Sequence, residues 1–560
     1  MSTTMNKKMI FRATLMGLVA CMYISSAKAQ HHDTVTVISS YQPVVSDANK
    51  ILTNPAITDT FFERPQMQYS VLKRVARTSF SVEPIKAAKI GDATVPKLYR
   101  FLVKAGFGNY TTPYGELYFN NLQSRTYTVG AHIKHISSYG KLKNYGYPGY
   151  SDNLAEVYGN KYYSKHVLSG AIGYERDVVH YYGFKTAEFI ALPSKDDIKQ
   201  RFALVRAEAH LNSLVNPDSL KLNHQVDISY YNLSDKYGSS ENNMLLGADV
   251  NKELNLFKIT KSQVLGLNAN VDYYFRKDSI MSHNTGLITL KPYLKTKFNA
   301  FTFNLGVDIT AEADTVTSLH FYPIADVQFN IVKDVLILYG GIKGNMQANS
   351  LRSLTQENPF MTGMAPMQAS NVKMDLFAGI RSNISRELSA HAYASYKVVH
   401  DMPFFVTDSN NAYGNKFSLI YDNVNVFQMR GEISWQKAEK VYLRIGGDFW
   451  NYDMKSELKA WNKPYFDVFA NFRYNIFSKI IITADLYAYS ERWAKRYTSN
   501  TVAPLKLGAY VDGNIGIEYR YSRILGAFLN VNNIGSARYQ KWQNYPSYGI
   551  NVLGGVSYSF

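Results

Sequence analysis

The sequence predicts an all-β fold: a large transmembrane antiparallel up-and-down β-barrel of about 22 strands, preceded by a short extended N-terminal periplasmic segment. Three observations support this prediction. A period-2 pattern recurs from Leu98 to the C-terminus, short and long connections alternate, and 14% of the 560 residues are aromatic, with 44 Tyr. Tyr combines an apolar ring with a polar tip, so it collects where hydrocarbon meets water.

The first 29 residues have the layout of a secretory signal peptide. A basic start is followed by an apolar run from Ala13 to Ile24 and by small residues at Ala27-Lys28-Ala29, which predicts cleavage before Gln30. The apolar run is too short to span a bilayer as a helix. An alternative is a lipoprotein signal, because Leu18 to Cys21 also fits a lipoprotein cleavage box. We prefer ordinary cleavage, because the residues after Cys21 stay apolar.

A segment rich in spaced prolines, Gln30 to Lys97, separates the signal peptide from the first strand. Proline removes backbone donors and stops helices, so this segment is predicted to be mostly extended with isolated short strands. We interpret it as a periplasmic arm. The alternative is a partial plug that folds into the lumen. The predicted division of the chain is therefore 1–29 signal peptide, 30–97 arm or partial plug, and 98–560 barrel.

The strands of the predicted barrel each have one apolar and one polar face. In the closing segment Gly549 to Phe560, alternate residues from Ile550 to Phe560 are mostly apolar, while Asn551, Gly555, Ser557 and Ser559 form the other face. Similar segments of about ten residues carry charges on their polar face, as expected for a wall between lipid and water. The closing segment must pair with Leu98 to Asn109 to remove the open edges of the sheet.

The connections indicate the topology. Short ones are predicted at Gln436 to Lys440, Phe477-Ser478, Ser385-Arg386 and Ser522-Arg523, on the periplasmic side with both termini. Long outer loops are predicted near the following ranges: Tyr139 to Asp152, Val178 to Lys199, Leu351 to Ser370, Met402 to Asn425, Asn451 to Pro464, Trp493 to Pro504 and Ala537 to Tyr548.

The C-terminal part of the chain resembles a known family. The stretch Leu507 to Phe560 is similar to the last three strands of TonB-dependent receptors, through the Asn532-Asn533 pair after an apolar strand, Tyr539 in the loop and the terminal aromatic residue. The abundance of Tyr and Asn is similar to barrels of the Bacteroidota. The resemblance implies an outer-membrane location and makes Phe560, with Tyr558, an expected signal for the barrel assembly machinery. It also implies a plug of well over a hundred residues, whereas Gln30 to Lys97 is too short for a full one.

The charge and the polar residues predict neither nucleic-acid binding nor catalysis. The formal charge of +17 includes four basic residues in the leader, and the remaining excess is spread along the strands rather than gathered in one stripe. Inward carboxylates such as Asp448 and Asp467 are interpreted as partners in a ladder of opposite charges on neighbouring strands. His132 and His135 lie three apart in a strand and so face opposite sides. No enzyme activity, cofactor or metal site is predicted.

The outer loops are the candidate functional sites, because a rigid scaffold commonly carries binding residues on its loops. We expect the aromatic and apolar groups of three loop motifs to be exposed and to capture a ligand or a lid protein; otherwise they pack against each other or reach the membrane interface. They are Tyr145, Tyr147, Tyr150, Tyr181, Tyr182, Phe184, Phe360, Met361, Met364 and Met367.

Two functions follow from these features. The first is an outer-membrane channel or transporter for an unidentified solute. The second is a plugless barrel acting as a structural or assembly subunit, whose loops and arm bind envelope lipoproteins or other outer-membrane proteins. In both cases the expected partners include outer-membrane lipids and the assembly machinery.

Overall fold

The computed structural model describes residues 98–560 apart from 123, 215–221, 256–262, 279–281, 315, 364 and 499–500. The predicted signal peptide and arm lie outside these residues. Within them, no helix is long and apolar enough to cross a membrane.

Twenty-two antiparallel strands form one closed sheet, which confirms the predicted fold class and strand number. The first eleven are β1 (Phe101–Gly108), β2 (Thr112–Asn120), β3 (Tyr127–Ser138), β4 (Tyr150–Tyr162), β5 (His166–His180), β6 (Lys199–Ser213), β7 (Asn223–Asp235), β8 (Ser240–Leu254), β9 (Gln263–Lys277), β10 (Ser282–Phe298) and β11 (Phe301–Ala313). Each pairs with its neighbour in sequence.

The second half of the sheet contains the two longest strands and two interruptions. Its strands are β12 (Thr317–Val332), β13 (Leu336–Gln347), β14 (Ser370–Asn383), β15 (Leu388–Thr407), β16 (Phe417–Lys437), β17 (Val441–Met454), β18 (Phe466–Ile476), β19 (Ile480–Tyr489), β22 (Tyr510–Arg520), β23 (Leu525–Asn532) and β26 (Asn551–Ser559). The interruptions are two loop hairpins, β20 (Arg492–Thr498) with β21 (Thr501–Leu507), and β24 (Gln540–Trp542) with β25 (Tyr545–Pro546). A 3-10 turn (Thr186–Glu188) and helix α1 (Leu351–Glu357) also lie in loops.

The last strand closes the sheet onto the first. In the seam between β1 and β26, Leu102 pairs with Ser559 and Gly108 with Leu553, as the sequence predicted. The main-chain oxygen of Phe560 accepts hydrogen bonds from the nitrogens of Arg100 and Phe101. Closure therefore satisfies the backbone groups that an open edge would leave unpaired.

The two faces of the wall differ as the period-2 pattern predicted. Apolar side chains such as Ile172, Leu319 and Val556 point outward and are exposed on the isolated chain. On the inner face, ionised groups pair between strands, for example Lys291 with Asp308 at 2.8 Å. The outer face is thus a hydrocarbon-facing belt and the inner face is polar.

Connections differ between the two ends of the barrel. At the end that carries Phe101 and Ser559, called the turn end, the predicted short connections at 384–387, 438–440, 477–479 and 521–524 are confirmed. At the opposite loop end, long connections occupy 139–149, 181–198, 348–369, 455–465, 490–509 and 533–550. Some loop-end connections are nevertheless short, including Asn109–Thr111 between β1 and β2.

The prediction of a long outer loop from Met402 to Asn425 was wrong. Most of Met402 to Asn425 continues the pairing of β15 and β16, from Met402 opposite Asp422 to Thr407 opposite Phe417, so the loop is only 408–416. The reason is packing: Phe404 and Phe405 point to opposite faces of this ribbon, and each is buried in a different apolar cluster. Burial on both faces stabilises strands beyond the length that a membrane needs.

Candidate functional site

Four long connections meet at the loop end, and together we call them the loop cap. They are the β5–β6 loop (181–198), the β13–β14 loop (348–369), the β15–β16 loop (408–416) and the β23–β26 loop (533–550). Three of them contribute to one buried apolar cluster, which also includes inward-facing Phe202 of β6 and Leu419 of β16, and the β15–β16 loop joins them through hydrogen bonds of Asn415. Because β6 and β16 are ten strands apart in a barrel of 22, the cap extends across the mouth.

Hydrogen bonds from tyrosines join these loops. The Tyr181 hydroxyl donates to the main-chain oxygen of Met361 at 3.2 Å, and the Tyr182 hydroxyl donates to that of Pro546 at 3.0 Å. The Tyr545 hydroxyl donates to the oxygen of Asn415, whose own side-chain amide donates to the oxygen of Tyr181. Each loop thus satisfies polar groups of another loop, which costs less than leaving them buried without partners.

Aromatic rings fill the space between these bonds. Phe360 stacks on Tyr545 with ring centroids 3.8 Å apart, and Tyr182 meets the same ring edge-on at 4.8 Å. Trp542 packs edge-on against Phe405 at 5.3 Å. Burial raises the pKa of the Tyr545 hydroxyl well above its ordinary value. The centre of the cap therefore has the character of a protein core rather than of a solvated loop.

Helix α1 is fixed to the wall by a buried carboxylate, Glu241 on β8. Its oxygens accept hydrogen bonds from the main-chain nitrogens of Leu351 at 2.7 Å and Arg352 at 3.2 Å. They also accept from the Tyr231 hydroxyl at 2.8 Å and from Arg276 Nε at 2.9 Å. An anion beside the first turn of a helix is favourable because the first main-chain N–H groups lack partners within the helix.

The ribbon of β15 and β16 carries a second apolar cluster on its other face. Trp461 of the β17–β18 loop is fully buried there against Phe404 and Val424. The Trp461 indole nitrogen donates to Glu457 at 2.7 Å, and Lys495 of the β20–β21 hairpin contacts the same carboxylate at 2.9 Å. This cluster attaches the hairpin to the ribbon and so supports the loop cap from one side.

The predicted loop residues do converge at this end of the barrel, but none of those that the structure describes is exposed. Tyr181, Tyr182, Phe360 and Met361 belong to the cap as described above, and Phe184 packs on Tyr413 at 5.2 Å. The expectation of exposed aromatic groups was therefore wrong, because the loops pack on each other. Met364 lies outside the described residues.

The remaining predicted residues lie around the cap. The ring centroid of Tyr147 lies 4.8 Å from that of His180 and 4.3 Å from the Lys195 ammonium nitrogen. The ring centroids of Tyr150 and Tyr548 are 6.4 Å apart. Tyr145 forms an isolated antiparallel β-bridge with Lys185. None of these contacts identifies a ligand, so the binding role of the ten residues stays a prediction.

Met367 lines a cavity at the edge of the cap, which we call the rim pocket. The cavity has a volume of about 320 Å³. Its apolar side includes Leu351, Pro366 and Met367, and its polar side includes Arg276 and Lys277. Sequence reasoning missed this pocket, because residues at the loop-end limits of β8, β9 and β10 meet a loop that is almost 70 or more residues away in sequence.

The lumen below the cap is lined by paired charges. Glu116 accepts hydrogen bonds from Tyr118 at 2.6 Å and interacts with His132 at 2.9 Å. Arg430 pairs with Asp448 at 3.2 Å, which fits the predicted charge ladder between neighbouring strands. Such pairs stabilise a wetted wall and identify no catalytic group. Asp467 departs from the predicted ladder, because it lies opposite another carboxylate, Asp448, in the register of β17 and β18.

Other inward groups also form networks. Arg206 contacts three carboxylates, those of Glu156, Glu175 and Glu208, at 2.8, 3.1 and 3.6 Å. In the part of the chain that the structure describes, no group of three or more His, Cys, Asp or Glu side chains could hold a metal ion.

Comparison with solved structures shows a shared barrel fold. No protein-family model matches the sequence, and no curated protein matches it. The fold is similar to that of the ferric-catecholate import receptor Fiu from K12 E. coli, with a TM-score of 0.62, 10% identity, and coverage of 83% of this chain and 82% of that chain.

Two further solved structures are similar to the same degree. The FrpB iron transporter from Neisseria meningitidis has a TM-score of 0.62 at 9% identity, over 83% of this chain and 82% of that chain. The pyoverdine outer membrane receptor FpvA from Pseudomonas aeruginosa PAO1 has a TM-score of 0.59 at 11% identity, over 82% of this chain and 78% of that chain. These likenesses concern the fold: the closed wall of 22 strands is similar to the barrels of these outer-membrane proteins.

Proposed function

We propose that this barrel transports a solute across the outer membrane, and that the loop cap must rearrange to admit the solute at the mouth. The observation that carries the proposal is an apolar bridge of loops above a lumen lined by charges. A barrel of this width encloses more space than its own side chains fill. The solved structures that share the fold include import receptors and an iron transporter, which supports a transport role.

The cap has features that favour reversible opening. Asn358 Nδ2 and Asn415 Oδ1 are buried, and neither atom has a hydrogen-bond partner among the described residues. An unsatisfied buried polar atom costs about 1 to 3 kcal/mol, which reduces the advantage of the closed arrangement. The rim pocket is the place where a solute could first contact the cap without displacing it, and Met367 is the predicted binding residue that lines this pocket.

Conductance of the purified full chain in planar bilayers tests the proposal. We expect low conductance for the wild type and an increase for Tyr545→Ala, because the substitution removes the ring between Phe360 and Tyr182 and the bond to Asn415. The matched control is Tyr521→Ala, which removes an exposed tyrosine from a connection at the turn end. We expect no change from it.

A variant lacking Gln30 to Lys97 separates the contribution of the arm from that of the cap. If conductance rises only in this variant, the arm rather than the cap limits passage. If neither variant nor their combination conducts more than wild type, the transport proposal fails.

The second candidate function is a structural or assembly subunit, and an exposed loop tip favours it. Ile190 is fully exposed, and Leu192 is 53% exposed, in the β5–β6 loop. Apolar groups at an outer tip fit contact with another envelope protein. Partner proteins that copurify with the wild type and are lost with Ile190→Asp and Leu192→Asp would support this function. Unchanged copurification would contradict it.

A further inference from the structure

The lipid-facing wall contains a groove along a row of small residues, with larger apolar side chains around it. On three consecutive strands, Gly159 pairs with Gly170, and Gly170 pairs with Ala209. Val129 and Ile228 continue the same row on either side and form the walls. The groove has a volume of about 500 Å³ and an almost entirely apolar lining. It lies outside the lumen and the cap, so the proposed transport function does not require it.

The groove lies close to the turn end. Gly159 is three residues before the end of β4, and Gly170 is four residues after the start of β5. With a rise of about 3.4 Å per residue, the groove begins roughly 10 Å from the connection between these strands. This position corresponds to the acyl chains of the leaflet at the turn end, which is the periplasmic leaflet in the predicted orientation.

Two lysines lie between the groove and the turn end, outside the lining of the groove itself. Lys161 follows Gly159 by two residues and therefore projects from the same face. Its ammonium lies 5.9 Å from the Tyr127 ring centroid, and Lys165 lies exposed in the adjoining connection. Neither lysine has a carboxylate within ion-pair distance among the described residues. A long cationic side chain at this depth directs its ammonium to the headgroup region.

We propose that this groove binds one glycerophospholipid, with its acyl chains along Gly159, Gly170 and Ala209 and its phosphate beside Lys161 and Lys165. Lipid tails and protein side chains are about equally apolar, so affinity in the membrane depends on packing and on the headgroup. The concave surface supplies packing to a flexible chain, and the two unpaired ammonium groups complement the phosphate.

A second copy of this chain is the main alternative occupant, because apolar faces of membrane proteins also associate. The lipid accounts for more of the structure, since it explains both the groove and the two cations at one end of it. A flat barrel wall from another copy would leave the groove unfilled, and an unfilled space forfeits dispersion contacts.

Native mass spectrometry of the full-length protein tests the proposal, with phosphatidylglycerol and phosphatidylethanolamine of identical acyl chains as probes. We expect the wild type to retain one lipid and to prefer phosphatidylglycerol. Ala209→Phe fills the groove and should lower retention of both lipids by about tenfold. The matched control is Ala325→Phe, on the lipid face of β12 opposite Leu305, which should retain lipid as the wild type does.

The headgroup contact has its own test. Lys161→Ala should lower the affinity for phosphatidylglycerol by about fivefold, with a smaller effect on phosphatidylethanolamine. Lys479→Ala, in the β18–β19 turn, is the control and should change neither. Because Lys161→Ala leaves the wall intact, it keeps the proposal testable if Ala209→Phe does not fold.

Three results would overturn the proposal. The first is equal lipid retention by Ala209→Phe and Ala325→Phe, which indicates ordinary surrounding lipid. The second is an unchanged headgroup preference in Lys161→Ala. The third is a lipid-free dimer that Ala209→Phe dissociates, which assigns the groove to a second copy.

Discussion

The side-chain amide of Asn415 donates a hydrogen bond of 2.5 Å to the main-chain oxygen of Tyr181, and this bond links loops from nearly opposite sides of the barrel. The two loops follow β5 and β15, which are ten strands apart in a barrel of 22. The loop cap therefore acts as a bridge, so a change in one loop should be detectable in loops across the mouth.

The anchoring carboxylate of α1 gives the first prediction. Glu241→Gln removes the charge that faces Arg276 and turns an amide N–H group toward the nitrogens of Leu351 or Arg352. Loss of one partner of a buried pair costs about 3 to 5 kcal/mol. We therefore expect tryptic cleavage after Arg352 to be at least about a hundredfold faster. The control is Asp453→Asn, which removes the exposed pair with Lys455 and should leave the rate unchanged.

The buried tyrosines predict how the cap responds to pH. Burial raises the pKa of the Tyr545 hydroxyl above its ordinary value of 10.0. In the closed cap Tyr545 stays protonated to a higher pH than it does in an opened cap. The closed cap therefore keeps its full stability below pH 10 and loses stability above pH 10, where the tyrosine of an opened cap ionises first. Trp542 fluorescence should therefore change above pH 10 in the wild type. In Tyr545→Phe this change in fluorescence should be smaller. An identical pH profile in the variant and the wild type would show that ionisation of Tyr545 does not cause the change.

The closing seam predicts different outcomes for two adjacent glycines. A Cβ on Gly555 would lie 2.3 Å from the main-chain oxygen of Ala105, whereas a Cβ on Gly554 would have its nearest neighbour at 3.7 Å, in Leu529. Gly555→Ala should therefore hinder pairing of β26 with β1 and reduce the fraction that migrates as a folded barrel in unheated detergent electrophoresis. Gly554→Ala should migrate as the wild type does. Equal migration of both variants would show that the seam tolerates the extra methyl group.

The ion pair between Glu457 and Lys495, which attaches the β20–β21 hairpin to the ribbon, gives the fourth prediction. Glu457→Gln weakens the contact with Lys495 and leaves an oxygen to accept from the Trp461 indole. A hydrogen bond between charged groups contributes about 1.5 to 3 kcal/mol, so the hairpin should detach more often. Hydrogen exchange of the β20–β21 amides should accelerate by tenfold or more. Glu491→Gln breaks the more exposed pair with Lys506 and should have little effect, whereas equal acceleration would contradict the role of Glu457.

The wall could be predicted from the sequence because its signal is local. In each strand the alternation of apolar and polar residues reports which face meets lipid, and a turn such as Phe477–Ser478 identifies where the chain reverses. The need to close the sheet likewise predicted the pairing of β26 with β1. These inferences require only neighbouring residues and the rule that membrane sheets leave no open edge.

The cap could not be predicted because its contacts are between loops that are distant in sequence. Nothing near Tyr181 indicates Asn415 as its partner, and Phe360 in an isolated loop has no reason to be buried. One local signal was available for α1: Ser350 caps the helix, and Ser353 completes a reciprocal pair of hydrogen bonds at its start. The unbroken apolar run from Phe404 to Val406 was a second signal, for a ribbon buried on both faces.

The pairing of Leu102 with Ser559 determines when the barrel can close. The two partners enclose nearly the whole barrel sequence, so the ring cannot close while the chain is still being synthesised or exported. Until β26 arrives, β1 has an exposed edge that can pair with the wrong strand or with another chain. The nascent barrel must therefore be shielded throughout its passage, and a chain shortened by a single strand would keep that vulnerability permanently.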